Sequence, residues 1–136
     1  MAVTKVGRVM VPVTDQDKAI EFYVDKLGFE VRDDVTMGTF RWLTVAPKTQ
    51  PDSCLVLMPI APGPMLDDAQ AKQLRTLVEA GVIGGGVLET DDCQRDYDEL
   101  VAKGVTFTRA PQQMPYGFEA LFRDDSGNFF SLTQRH

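Results

Sequence analysis

The chain has 136 residues, 43% hydrophobic and 25% charged, with a formal net charge of −6. That length supports one domain with a real core, and the acidic balance without clustered Lys and Arg argues against nucleic acid as a partner. No apolar run reaches the roughly 18 to 20 residues of a membrane span. Met1 to Val13 lacks the long apolar stretch of a signal peptide, so cytoplasmic residence is the default expectation. The single histidine, His136, is the last residue, which removes histidine triads, His-rich zinc sites and imidazole acid-base chemistry from consideration. The two cysteines, Cys54 and Cys93, are expected to be reduced and unpaired. Cys93 sits at a predicted helix start, where the dipole favours a thiolate, but no partner for a nucleophilic role is visible.

In chain order, Val6 to Val13 reads as a strand, with Val9, Val11 and Val13 on one face and Arg8, Met10 and Pro12 on the other. Pro12 lacks a backbone donor and belongs at a sheet edge or near the strand end. Thr14 and Asp17, in capping-box spacing, open a helix that runs to about Leu27 and stops at Gly28. Phe29 to Arg32, Gly38 to Val45 and Cys54 to Met58 follow as strands, completing βαβββ. The six residues from Pro59 to Pro64 hold three prolines and a glycine and form a linker. A connector helix from Asp67 and Asp68 to about Ala80 is expected to pack on the sheet.

The pattern then returns. Gly86 to Thr90 is a strand, Asp91 and Asp92 cap a helix stopped by Gly104, Val105 to Arg109 is a strand, and Pro111 to Gly117 is a loop. Phe118 to Thr133 closes the chain as a hairpin around Asp124-Asp125-Ser126-Gly127-Asn128. Asp15 and Gly28 shifted by 76 give Asp91 and Gly104, so the repeat rests on punctuation rather than on identity. Neither copy is long enough to bury a core alone. The expectation is an α+β fold over residues 1–136 as a single domain. Module 1 covers 1–59, the linker and connector helix 60–83, and module 2 84–136. The two βαβββ modules form a cupped mixed sheet with helices on the convex face and a cavity on the concave one.

Three stretches carry a family resemblance: Val11 to Val31, Thr90 to Phe107, and Phe122 to Leu132 with its Arg-Asp-x-x-Gly-Asn turn. The chain resembles the vicinal oxygen chelate superfamily, the glyoxalase, bleomycin-resistance and extradiol-dioxygenase fold. Enzymes of that family hold a divalent metal on the concave face with one ligand from each of four strands. Carried over by position, those ligands fall on Arg8, Val56, Gly85 and Ser131. Arginine stays protonated, Val and Gly offer no donor, and a lone Ser is a poor ligand, so the resemblance implies the fold without its usual metal, and no cofactor is expected.

The cup is expected to be lined by Arg8, Met10, Cys54, Val56, Phe129 and Ser131, with Trp42 or Arg41 depending on register. Glu119, Leu121 and Arg123 point inward on the last hairpin, because Phe118, Ala120 and Phe122 suit the helix-packed face. Tyr116 and Gln113 are lid or contact candidates. Such an apolar cup with a few charges suits a small molecule. Arg8 is expected to bind an anion, or else to pair with Glu119 or another acid. The resemblance implies a homodimer that binds a small molecule, such as an antibiotic, without metal. The alternative is a lyase, isomerase or dioxygenase of the glyoxalase type. It would use atypical ligands such as Cys54, Glu119 or Glu89, or metal-independent chemistry with Arg8 as electrophile and Glu119 as base.

Overall fold

Residues 2–136 are described by a computed structural model. In the first module β1 (Arg8–Val13), β2 (Glu30–Met37), β3 (Phe40–Ala46) and β4 (Cys54–Pro59) form one sheet in the order β1-β4-β3-β2. In the second, β5 (Gly84–Glu89), β6 (Phe107–Met114), β7 (Gly117–Arg123) and β8 (Phe129–Arg135) repeat it as β5-β8-β7-β6. The β1–β4 and β5–β8 pairs are parallel and the rest antiparallel. The chain is therefore α+β, built from two βαβββ modules that each make a four-stranded mixed sheet.

Three helices connect the strands. α1 (Gln16–Ile20) continues into a π-helical segment (Glu21–Lys26), where Leu27 N–H reaches back to the Phe22 carbonyl at 3.1 Å. α2 (Asp68–Glu79) lies between the modules in sequence, and α3 (Cys93–Ala102) repeats the place of α1. The residue that caps α1 is Asp15, which accepts from Lys18 N–H at 3.0 Å, and not the Thr14–Asp17 pair. Its counterpart in α3 is Asp92; Asp91 instead pairs with Arg95. The repeat thus slips by one residue at its second helix start. The reciprocal capping box that the sequence pointed to at α1 occurs at α2, between Asp67 and Gln70.

Two further differences have physical reasons. The segment from Pro111 continues β6 as far as Met114 rather than forming a loop. β6 is an edge strand with register shifts around Arg109 and Gln112, where a missing proline donor costs no ladder bond. The connector α2 does not lie on a sheet. Its Ala71 and Val78 pack with Ile60, Leu66, Leu74 and Ile83 in a small cluster of their own.

The main core belongs to both modules. Val11, Val13, Leu43, Val45 and Leu57 from the first sheet meet Ala120, Phe122, Phe130 and Leu132 from the second. Phe22, Tyr23, Cys93 and Leu100 from the helices fill the space between. Each sheet has one face in this core and the other turned away from it. Alternation along a strand then fixes which residues each open face carries.

The turn between β7 and β8 clasps the modules. Asp124 Oδ1 accepts from the backbone N–H groups of Ser126, Gly127 and Asn128. Its Oδ2 accepts from Asn128 Nδ2 and from the buried Tyr23 hydroxyl at 2.7 Å. Asn128 Nδ2 also donates to the Pro12 carbonyl, and Thr14 N–H donates to Ser126 Oγ. Gly127 is required here. Its φ is 121°, and a Cβ would run into the Val78 carbonyl.

Candidate functional site

Register places the candidate residues on two open faces rather than around one hollow within the chain. Leu43 and Val45 enter the core, so Trp42 and Thr44 turn to the open face of the first sheet. Trp42, not Arg41, is therefore the residue that joins Arg8, Met10, Cys54 and Val56 there. Arg41 lies on the opposite side and holds Asp17 and Asp34. On the second sheet Ala120 and Phe122 are in the core, so Glu119 and Leu121 share the open face with Phe129, Ser131 and Thr133. Glu119 and Leu121 therefore lie on the face away from the core, but that face is open and encloses no cup within the chain.

Exposure differs along these faces. Val56 and Ser131 are buried on the inner strands β4 and β8 of the two sheets. Trp42, Cys54 and Glu119 are half-buried, and Arg8, Met10, Tyr116 and Phe129 are exposed. Val35, Met37 and Val87 add exposed apolar surface to the same faces.

The second sheet carries a polar hub that sequence reasoning did not assemble. Glu119 is ion-paired with Arg109, accepts from Tyr116 Oη at 2.8 Å through the same oxygen, and accepts from Ser131 Oγ at 2.6 Å through the other. Ser131 in turn shares a hydrogen bond with Thr133. Desolvation pushes the Glu119 carboxyl up, but the bonds from Ser131, Tyr116 and Arg109 together outweigh it and hold it below the usual range. The Tyr116 phenol is raised, first by its bond to Glu119. A carboxylate with three donors is a poor proton acceptor, and Arg8 stands on the other sheet. Within the chain the expected Arg8–Glu119 pairing does not form; Arg109 takes that place. The signal missed in the sequence was the register of Arg109 opposite Leu121 on β6, one row from Glu119 across a bulge.

Arg8 makes no hydrogen bond or ion pair among the described residues, whereas Arg32, Arg41, Arg95, Arg109 and Arg135 each hold a carboxylate. It borders a hollow of about 430 Å3 at one end of the first sheet, with Lys5, Asp33, Asp52 and Cys54. Gln113 is exposed and bonds the Met114 carbonyl, away from the hub. Glu89 is paired with Arg135 at 3.2 Å. Cys93 is fully buried and its thiol is pushed up by desolvation, so the helix start does not make it a thiolate.

The positions that would hold a metal do not fit one. Arg8, Val56 and Ser131 reach the open faces without a competent donor set. Gly85 lies at a register shift between Gly84 and Gly86, and a Cβ there would be driven into the Phe130 ring. A side chain at 85 is thus directed at the core and not at the open face. Among the described residues no three His, Cys, Asp or Glu side chains are grouped closely enough to hold an ion.

This arrangement of paired βαβββ modules is that of the glyoxalase/bleomycin resistance protein/dioxygenase superfamily, to which the chain belongs: the family profile matches residues 5–132. Among solved structures it is similar to UcmS2, with 47% identity, a TM-score of 0.92, and coverage of 97% of this chain and 98% of that one. It is also similar to TnmS3 from Streptomyces sp. CB03234, described as an antibiotic binding protein. There the identity is 35% and the TM-score 0.79, over 100% of this chain and 99% of that one. YurT of Bacillus subtilis (strain 168), whose function is uncharacterised, is 37% identical over 90% of this chain and 93% of its own length.

Proposed function

We propose that the chain is a binding protein that holds a small, partly apolar molecule against its open sheet faces without a metal. The carrying observation is the pairing of an apolar open face with unsuitable ligand positions. Met10, Trp42 and Phe129 offer contact surface, while Arg8, Val56, Gly85 and Ser131 offer no metal donor set. The similarity to an antibiotic binding protein over the full length supports an antibiotic as the class of ligand. The exposed Met10, Val35, Met37, Val87 and Phe129 favour a homodimer in which a second copy covers these faces and encloses the ligand.

A thermal-shift screen of purified protein against antibiotics and small carboxylates, run alongside elemental analysis, tests this reading. A ligand at a hundred times its Kd stabilises by about 2.7 kcal/mol, a shift that is readily read. Stoichiometric zinc, nickel, iron or manganese that survives purification would refute it.

A further inference from the structure

We infer that the ligand of the first sheet's open face is an organic anion, with its acid group on Arg8 and its apolar body lying toward Trp42. This rests on the small-molecule reading above and adds the chemical class. The face is graded. Register sets Arg8 beside Cys54 at one end, Met10 beside Val56 in the middle, and Pro12 beside Met58 at the other. Thr44 lies opposite Val56, which puts Trp42 in the row of Met58 and Pro12. The apolar side chains therefore gather at one end and the free guanidinium stands at the other.

Among the described residues the Arg8 guanidinium is not paired within the chain. The hollow there is lined by Lys5, Arg8 and Arg32 with Asp33 and Asp52, and Glu30 pairs with Arg32, so the charges match in number while no acid is bonded to Arg8. Arg32 is committed to Glu30 and to the Pro47 and Gln50 carbonyls. Asp33 accepts from the Thr44 hydroxyl, and Lys5 donates to the Asp52 carbonyl oxygen. Arg8 alone of the three cations has all its donors free. Covering the face, by ligand or by a second copy, removes water from the guanidinium and leaves a charge that needs a counter-ion. The acids of the other open face cannot supply it, because Glu119 is held by Arg109 and Glu89 by Arg135. A carboxylate or other planar oxyanion on the ligand meets the guanidinium fork with two parallel hydrogen bonds.

Trp42 is the only tryptophan and reports occupancy of this face directly. The probes are 4-(1-pyrenyl)butyrate and its neutral counterpart 1-pyrenebutanol, titrated against full-length protein with Trp42 emission as readout. The butyrate is expected to bind at least tenfold more tightly than the alcohol, and Arg8→Gln is expected to erase that preference. Arg8 makes no bond within the chain, so the variant is expected to melt like the parent. Equal affinities in the parent, or a preference that persists in Arg8→Gln, would overturn the anion inference while leaving the small-molecule reading standing. Failure of both probes to quench Trp42 would overturn the two together.

Discussion

Replacing Tyr23 with Phe removes one hydroxyl from the centre of the clasp between the modules. That hydroxyl is fully buried and donates to Asp124 Oδ2 at 2.7 Å. The ring stays, so its edge contact with Phe130, 6.1 Å between centroids, is retained. What is lost is one hydrogen bond to a charged acceptor, worth about 1.5–3 kcal/mol, with the carboxylate left one donor short. The other four donors to Asp124 remain, so the turn itself should hold. The expected loss is about 2 kcal/mol, or about 6 °C in Tm for a chain of this size. Urea unfolding measures it as a lowered midpoint at unchanged slope. The effect also carries a pH signature. Burial first, and the neighbouring Asp124 second, hold the Tyr23 phenol well above its usual range. A group raised in this way contributes stability that is whole below about pH 10, where an unfolded tyrosine ionises, and that is lost as pH rises further. The parent should therefore lose more stability between pH 9 and 11 than Tyr23→Phe. A loss below about 0.5 kcal/mol at pH 7, with parallel alkaline profiles, would refute the clasp.

Three other perturbations follow from the same geometry. Asp125 is pushed up to about 6, by desolvation first and by Asp124 second, so its ionised form opposes folding and stability is lost as pH rises between about 4 and 6. Its side chain is exposed, so screening reduces the effect, and Asp125→Asn should stabilise by about 1 kcal/mol or less at pH 7 and by nothing at pH 4. Unfolding curves at the two pH values check this, and an equal gain at both would refute it. Gly85→Ala should destabilise by about 1–3 kcal/mol through overpacking against Phe130, read as a lowered Tm; an unchanged Tm would show that the ring gives way. Val87→Arg places a charge on an exposed apolar position of edge strand β5 and should halve the mass measured by light scattering. A monomeric parent at tens of micromolar would refute the dimer.

The fold was legible because it is written in local terms. Period-two alternation in Val11 and Val13, and in Ala120 and Phe122, named the core faces. Gly28, Gly104 and the Asp124–Asn128 turn marked where elements end. The β-bulges were not legible, since a bulge adds a residue without altering composition. One sits between Arg109 and Gln112, and another at Gly85. Both bear on the candidate site. The first governs how Arg109 approaches Glu119, and the second turns position 85 toward Phe130.

The larger difference concerns the hollow. A duplicated module implies two equivalent sheets, but periodicity says nothing about whether their open faces look toward each other or apart. The answer comes from the helices. Phe22 of the first module stacks on Phe122 of the second and Tyr23 meets Phe130 edge-on, so the inner faces are used up on one shared core. With the helix sides joined, the strand faces bearing Arg8 and Glu119 are left on opposite flanks of the chain. Any ligand that touches both must then be shared with a second molecule. For the same reason oligomeric state and ligand affinity should vary together, and a substitution such as Val87→Arg should weaken binding even where it touches no ligand atom.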